Sequence, residues 1–303
     1  MAIPDYQTIM NPLLKFTGDQ REHTFREAIA HLTGVFRLTE EEQKRTYSSG
    51  RMRVFYNKVG WAQSYLKHAG LIESTKRGSF KITHEGLKLL DENPQRVDNK
   101  LLMRYPEFAE YIRGIRGRKD DGNEEQQVVS EVETPDEVLD NAYQNMRRIL
   151  TRDVLEQVRQ CNPDFFEELV VELLVKMGYG GSIKDAGEAI GRTGDEGIDG
   201  TIKQDLLGLD QIHVQAKRWQ GTVGRPEVQK FAGALQGQRA KKGIFITTGT
   251  FSGDAADYAS KIDSKIVLID GIKLAELMID YNLGVSSTKV YDIKKIDSDY
   301  FEA

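Results

Sequence analysis

Residues Gln211-Ile212-His213-Val214-Gln215-Ala216-Lys217 alternate apolar and polar side chains, the period of a strand with two unlike faces. Ile212, Val214 and Ala216 fall on one face and can pack into a core. His213, Gln215 and Lys217 fall on the other, where an amide oxygen and an ammonium can be aimed at one spot. Shortly before this strand stands Gly194-Asp195-Glu196-Gly197-Ile198-Asp199-Gly200, a glycine-rich run that delivers carboxylates to its neighbourhood. An acid, a polar oxygen donor and a lysine gathered at one sheet edge suit metal-dependent cleavage of a phosphodiester.

The flanking sequence predicts how that strand is housed. Asn162-Pro163 opens a helix carrying Phe166, Leu169, Val170, Leu173, Leu174 and Met177 on one stripe, stopped at Gly178 or Gly180. Strands are expected near 200–203, 211–217, 243–247 and 265–269, with helices near 226–240, 252–263 and 272–281. Later strands joined through helices pair in parallel, with helices on both faces of a mixed sheet. Glu167 stands at the edge of the apolar stripe, whereas Glu168 and Glu172 face outward.

The first third of the chain has a different grammar. A helix over 22–30 and a capping box at Thr39-Glu40-Glu41-Glu42 lead to a helix over 54–69, which Gly70 stops. Strand signals at 71–74 and 80–83 flank the basic turn Lys76-Arg77-Gly78, and a helix over 84–91 closes the segment. Helices followed by a basic two-stranded hairpin make a winged helix, a relative of the helix-turn-helix DNA readers. Arg51, Arg53, Lys58, Lys67, Lys76, Arg77 and Lys81 are the candidate phosphate contacts; Trp61 and Tyr65 read as core. Residues 101–112 extend this domain as a helix. Residues 113–134 are Asp/Glu/Gln-rich with few apolar positions and are expected to form a flexible linker. Residues 135–161 read as a helix packed on the second domain, with Val138, Leu139, Ala142, Met146, Ile149 and Leu150 available to a partner chain. The expected division is therefore a winged-helix domain at 1–112, a linker at 113–134 and a catalytic domain at 135–303.

Charge follows the same division. The net charge of −5 hides a segregation: residues 21–92 hold 13 Lys/Arg against 9 Asp/Glu, and residues 113–140 hold 4 against 9. The basic end is the better surface for phosphate. At 303 residues, 39% hydrophobic and 29% charged, the chain has room for two cores and no apolar stretch long enough for a bilayer. The start Met1-Ala2-Ile3-Pro4 shows no secretory pattern. One cysteine, Cys161, excludes an internal disulfide framework, and five scattered histidines argue against zinc. A reducing, cytoplasmic setting is expected. No Gly-x4-Gly-Lys-Ser/Thr run is present, so nucleoside triphosphate is not an expected cofactor.

Asp199 with Gln215-x-Lys217 resembles the PD-(D/E)xK nuclease superfamily, in the variant whose second acidic position is Gln. Phe166-Glu167-Glu168-Leu169, Met177-Gly178-Tyr179, the Gly-Asp-x-Gly-Ile-Asp-Gly run, Val-Gln-Ala-Lys and the strand from Gly243 to Thr248 together resemble the catalytic domain of the Mrr family of modification-dependent (type IV) restriction endonucleases. Gly60-Trp61-Ala62, Leu66-Lys67, Ala69-Gly70-Leu71, Lys76-Arg77-Gly78 and Ile82-Thr83 resemble that family's N-terminal domain. The resemblance implies an α/β, restriction-endonuclease-like mixed-sheet catalytic domain preceded by an α+β winged-helix domain. It further implies a Mg2+-dependent (Mn2+ as substitute) endonuclease acting on methylated double-stranded DNA in a restriction, or defence, role. The implied catalytic residues are Asp199, Gln215, Lys217 and Glu167, with Asp199, Glu167 and Gln215 as metal ligands. A duplex presents two scissile phosphates of opposite polarity, so a homodimer or higher homo-oligomer is expected, paired through the 138–150 stripe unless that stripe covers its own domain's core. Asp195 and Glu196 are further acids nearby. A repair or recombination nuclease reading DNA structure, and a winged-helix regulator with a silent nuclease-like domain, are the alternatives.

Overall fold

The computed structural model describes residues 3–48, 50, 52–76, 78–116, 133–180, 198–204 and 210–294. Arg51, Arg77, Asp195, Glu196 and most of the expected 113–134 linker lie outside the described residues. The chain divides into two compact units, the first within Met1–Gln144 and the second Asn145–Ile293.

In the first unit α1 (Tyr6–Phe16), β1 (His23–Thr24), α2 (Phe25–Phe36), α3 (Glu40–Lys44) and α4 (Val54–His68) precede the hairpin β2 (Ile72–Lys76) and β3 (Ser79–Ile82). Then come α5 (His84–Asp91), α6 (Asn99–Leu102) and α7 (Pro106–Arg116). The strands pair antiparallel in the order β1-β3-β2, which completes the wing. Local chemistry sets the boundaries. Thr24 with Glu27, and Thr39 with Glu42, form reciprocal capping boxes at the starts of α2 and α3. Gly70, at φ 69°, ends α4, and Gly78, at φ 65°, turns the hairpin. Helix α1 has no counterpart in the sequence reading. Pro12 stands in its interior and removes one helical hydrogen bond, yet Ile9, Met10, Leu13 and Leu14 are fully buried, with α4 alongside. Burial of four large side chains, about 1.5–3 kcal/mol each, outweighs that loss. The helix expected over 101–112 is instead two, α6 and α7, because the chain turns at Met103–Tyr105 before Pro106 starts the second.

Helix α8 (Pro135–Gln160) runs for 26 residues; its first ten belong to the first unit and the rest to the second. The second unit continues with α9 (Pro163–Lys176), β4 (Gly200–Lys203), β5 (Gln211–Lys217), β6 (Thr222–Val223), α10 (Arg225–Gly237), β7 (Lys242–Thr247), β8 (Thr250–Phe251), α11 (Gly253–Lys261), β9 (Lys265–Ile269) and α12 (Gly271–Asp280). Four strands form one sheet in the order β4-β5-β7-β9; β4 pairs antiparallel with β5, and the other two pairings are parallel. The mixed sheet follows from the connections: β5, β7 and β9 are joined through α10 and α11, as parallel neighbours require.

Alternation along β5 sorts its two faces. Val214 pairs with Ile244 and Ala216 with Ile246; Ile212, Val214, Ile244 and Ile246 share a core with Phe166, Leu169, Val170, Leu173 and Leu174 of α9 and with Val154, Leu155 and Val158 of α8. Gln215 pairs with Phe245, which packs in a second core with Phe231 and Leu235 of α10 and Ala255 and Ala259 of α11. Helices therefore cover both faces, as the sequence led us to expect. Gly243 is needed where α10 crosses β7: a Cβ there would lie 2.8 Å from Phe231 and Leu235.

Candidate active site and nucleic-acid interface

Asp199 enters one residue before β4. Its backbone N–H donates to the Val214 carbonyl (2.9 Å), and its carboxylate Oδ2 accepts from the Ala216 N–H (2.7 Å). Both bonds are made to β5, so the sheet edge itself fixes the carboxylate. Glu167, in the first turns of α9, is half-buried at the edge of the stripe headed by Phe166, while Glu168 and Glu172 are exposed. Glu167 and Asp199 line one small cavity with Val170, Val171, Gly200, Val214 and Ala216. Gln215 is buried at 5% exposure and lies outside that lining, on the β5 face it shares with Lys217. Of the four residues expected at one spot, Glu167 and Asp199 share a cavity, whereas Gln215 and Lys217 lie on the α10 face of β5; of these two, Lys217 is the one whose charge acts on Asp199.

Lys217 ends β5. Its Nζ donates to Glu227 Oε2 of α10 (2.5 Å) and sits 4.7 Å from the Trp219 ring centre. Trp219 is 43% exposed. Glu227, ten residues further on in the first turn of α10, belongs to no motif that would mark it in the sequence. His213, whose Nδ1 lies 3.0 Å from Thr201 Oγ1, is held below its ordinary range by burial.

Electrostatics distinguish the two acids from surface carboxylates. Burial raises the Asp199 carboxyl above its usual range, against the opposing pull of the Ala216 N–H and the Lys217 charge. Burial also raises Glu167, and the negative charges of Asp199 and Asp164 add to it. Two carboxylates that repel each other beside a polar strand end suit a hard divalent cation, which accepts one or two carboxylates and keeps waters in its shell. Among the described residues no group of three or more His, Cys, Asp and Glu gathers around a metal-sized site.

In the first unit the candidate phosphate contacts separate by environment. Arg53, Lys67 and Lys76 are exposed and Lys81 is half-exposed. Lys76 pairs with Glu22 (2.7 Å), Lys81 with Glu73 (3.2 Å), and Lys67 donates to Ser74 Oγ (2.8 Å). Exposed pairs of this kind hold weakly and open to a competing phosphate. Lys58 is different. It is buried at 9% exposure, and its Nζ meets Glu137 Oε1 of α8 at 2.9 Å. The expectation that Lys58 contacts DNA is corrected: its charge is committed inside the first unit. Beside it Asp136 Oδ2 accepts from Asn57 Nδ2 (2.9 Å) and Trp61 Nε1 (2.8 Å), and Thr134 Oγ1 donates to Asn57 Oδ1 (3.1 Å). The start of α8, expected on the second domain, therefore packs on α4. Burial and the neighbouring acids Glu137, Asp136 and Asp140 raise the Tyr47 hydroxyl, which donates to Asn57 Oδ1 (3.0 Å).

Residues 158–278 match the family of catalytic domains described as "Restriction endonuclease" (Mrr_cat), and residues 6–92 match the Mrr N-terminal domain. Over 314 aligned residues, spanning all of both proteins, the chain is 37% identical to the type IV methyl-directed restriction enzyme EcoKMrr of Escherichia coli (strain K12). The chain belongs to the Mrr family. It is a nuclease of the restriction-endonuclease type, with the Mrr N-terminal domain preceding the catalytic one. Among solved structures, the DNA modification-dependent restriction endonuclease AspBHI overlaps at TM-score 0.34 and 14% identity, covering 71% of this chain and 56% of that one. MspJI in complex with a 27-mer oligonucleotide overlaps at TM-score 0.30 and 17% identity, covering 71% and 53%. The chain spans little more than half of each. No helix of the described residues is long and apolar enough to cross a membrane. Both domains of this Mrr protein thus coincide with the elements that place Asp199 and the wing.

The raised acids have a consequence for stability. The unfolded chain gives up these protons in the ordinary carboxylate range, whereas the folded protein holds them to higher pH. The folded state therefore loses stability as pH rises from the ordinary range through the raised one, and retains the full penalty above it. Glu167→Gln and Asp199→Asn remove that penalty. Thermal melts between about pH 4 and pH 7 should show each variant gaining on the native protein as pH rises. A constant offset across that range would refute the effect.

Proposed function

We propose that this Mrr-family nuclease is a Mg2+-dependent endonuclease that cuts methylated DNA as part of restriction. The observation that carries it is Asp199, fixed on β5 by two hydrogen bonds, sharing a cavity with Glu167 and lying within the field of Lys217. The full-length relationship to an enzyme described as methyl-directed supports the substrate class. Asp199 and Glu167 would hold the cation; Gln215, expected from the sequence as a third donor, lies outside their cavity on the other face of β5. Bound there, Mg2+, or Mn2+ in its place, supplies positive charge to the phosphate oxygens and eases ionisation of water. Lys217, as an ammonium, orients the attacking water and offsets charge gathering on the phosphate. A water oxygen bonds to phosphorus, one P–O ester bond breaks, and solvent takes the water's proton while the leaving oxygen gains one. No nucleoside triphosphate enters the balance.

Matched plasmids with and without adenine or cytosine methylation, incubated with Mg2+ or EDTA, test this. Cutting is expected only for a methylated plasmid with Mg2+. Asp199→Ala and Lys217→Ala should each lower it by about a hundredfold to a thousandfold with DNA affinity nearly unchanged. A fully active Asp199→Ala protein would sink the site assignment and favour a nuclease whose acids lie elsewhere.

DNA holding falls to the winged helix, through Arg53, Lys67, Lys76 and Lys81 of the described surface and through Arg51 and Arg77. If Lys76, Arg77 and Lys81 each neutralise one phosphate, removing all three should lower the log–log salt slope of duplex binding by roughly three. An unchanged slope would move the contact to the second unit.

A duplex offers two scissile phosphates of opposite polarity, which a homodimer or higher homo-oligomer meets without a second chemistry. Val138, Leu139 and Tyr143, and then Met146 (60% exposed), Ile149 (59%) and Leu150, stand in solvent along α8, whose buried positions are Thr151, Val154, Leu155 and Val158. Among the described residues that stripe joins no core cluster, and it is available to a second copy. Light scattering should report at least twice the 34.3 kDa of one chain when DNA is bound. A strict monomer making double-strand breaks in first-order fashion would rule pairing out.

A further inference from the structure

Among the described residues Glu227 is the acid paired with Lys217, and its setting differs from a surface ion pair. It occupies the first turn of α10, behind Arg225 and Pro226, where backbone N–H groups and the helix dipole favour a carboxylate. Both of its oxygens are engaged: Oε2 by Lys217 at 2.5 Å and Oε1 by Lys230 at 2.9 Å. The Lys217 and Glu227 side chains are 24% and 18% exposed, whereas Lys230 is 71% exposed. Glu227 is held below its ordinary range, first by the Lys217 hydrogen bond and then by Lys230. The Trp219 ring, 4.7 Å from Lys217 Nζ, and the Phe245 ring, 6.0 Å away, flank the same ammonium.

A lysine carries four rotatable bonds and a strongly hydrated charge, and left free at a strand end it would sample many positions. Here the chain leaves β5 and returns ten residues later with an acid in the first turn of α10. Strand alternation has already turned Lys217 towards that helix, so the pairing fixes the ammonium beside Asp199, whose carboxyl feels its charge. We propose that Glu227 is a positioning residue: it holds the Lys217 ammonium at the place from which it meets the scissile phosphate. This rests on the catalytic role proposed above for Lys217. Glu227 itself touches neither DNA nor the water that attacks. When phosphate arrives, a second donor of the same ammonium can turn to it while the Glu227 contact keeps the nitrogen in place.

The test uses the full-length protein with Mg2+ and a methylated plasmid. Glu227→Ala, Glu227→Gln, Asp199→Ala and Lys217→Ala are compared for kcat, KM, duplex affinity in EDTA and thermal midpoint. A misplaced catalytic group costs up to about a hundredfold in rate. Glu227→Ala should therefore lose about tenfold to a hundredfold in kcat, with KM and duplex affinity unchanged. Glu227→Gln keeps an acceptor oxygen but no charge, and should lie between Glu227→Ala and the native protein. If Glu227→Ala does not fold, Glu227→Gln with a native thermal midpoint and a lowered kcat carries the same conclusion. A native kcat in Glu227→Gln and Glu227→Ala, while Asp199→Ala and Lys217→Ala are dead, overturns the positioning role alone. A loss of activity that follows a fallen thermal midpoint in both Glu227 variants makes the pair merely structural and also overturns it. Should Asp199→Ala and Lys217→Ala stay active, the underlying site assignment fails, independently of Glu227.

Discussion

The register of β5 between β4 and β7 is the constraint on which the second unit depends. Because side chains alternate with period two, a slip of one residue would exchange the faces. Val214 and Ala216 would then meet α10 and α11, and Gln215 and Lys217 would be driven into the apolar core beneath α9. Apolar partners hold the register from both sides: Val214 with Ile244, Ala216 with Ile246, and Ile202 with Ile212. The same register gives Asp199 its two hydrogen bonds to β5. The core and the proposed chemistry are thus set by one alignment of strands.

Burial of charge around that alignment runs against stability. Glu167 and Asp199 are both held above their ordinary range, so ionising them at neutral pH costs folding free energy. A structural site would replace one acid or pair it; here Lys217, whose charge acts on Asp199, is itself engaged by Glu227. Strain of this electrostatic kind is typical of places where a cation or substrate later supplies the missing charge.

Charge counting along the chain was a fair guide to sign and a poor guide to availability. Residues 21–92 do carry the basic excess, yet Lys58 is buried on Glu137, while Lys76 and Lys81 rest on Glu22 and Glu73. Asp136 and Glu137, counted with an acidic linker, are hydrogen-bonded into the first unit. No local pattern reveals the Asp136 contacts, since its partners Trp61 and Asn57 are 75 and 79 residues away in sequence. The compact units accordingly divide inside α8, after Gln144, and not where the composition changes.

What the sequence determined by itself is whatever short-range physics fixes. Period-two alternation placed β5 at Gln211–Lys217, apolar runs placed β7 and β9, and the Thr39 capping box set the start of α3, whereas the helix read over 22–30 begins instead after the Thr24 cap and runs over Phe25–Phe36. Motif order and spacing were enough to point to the Mrr family. Helix α1 escaped notice because Pro12 contradicts a helix locally, and only packing of Ile9, Met10, Leu13 and Leu14 overrides it. Tertiary structure alone decided that Glu167 shares a cavity with Asp199, that Gln215 lies on the opposite face of β5, that Lys58 is buried and that Glu227 grips Lys217. Each of these joins residues on separate elements. Their distances depend on how strands register and helices cross, and that is set by the whole core and not by any stretch of chain.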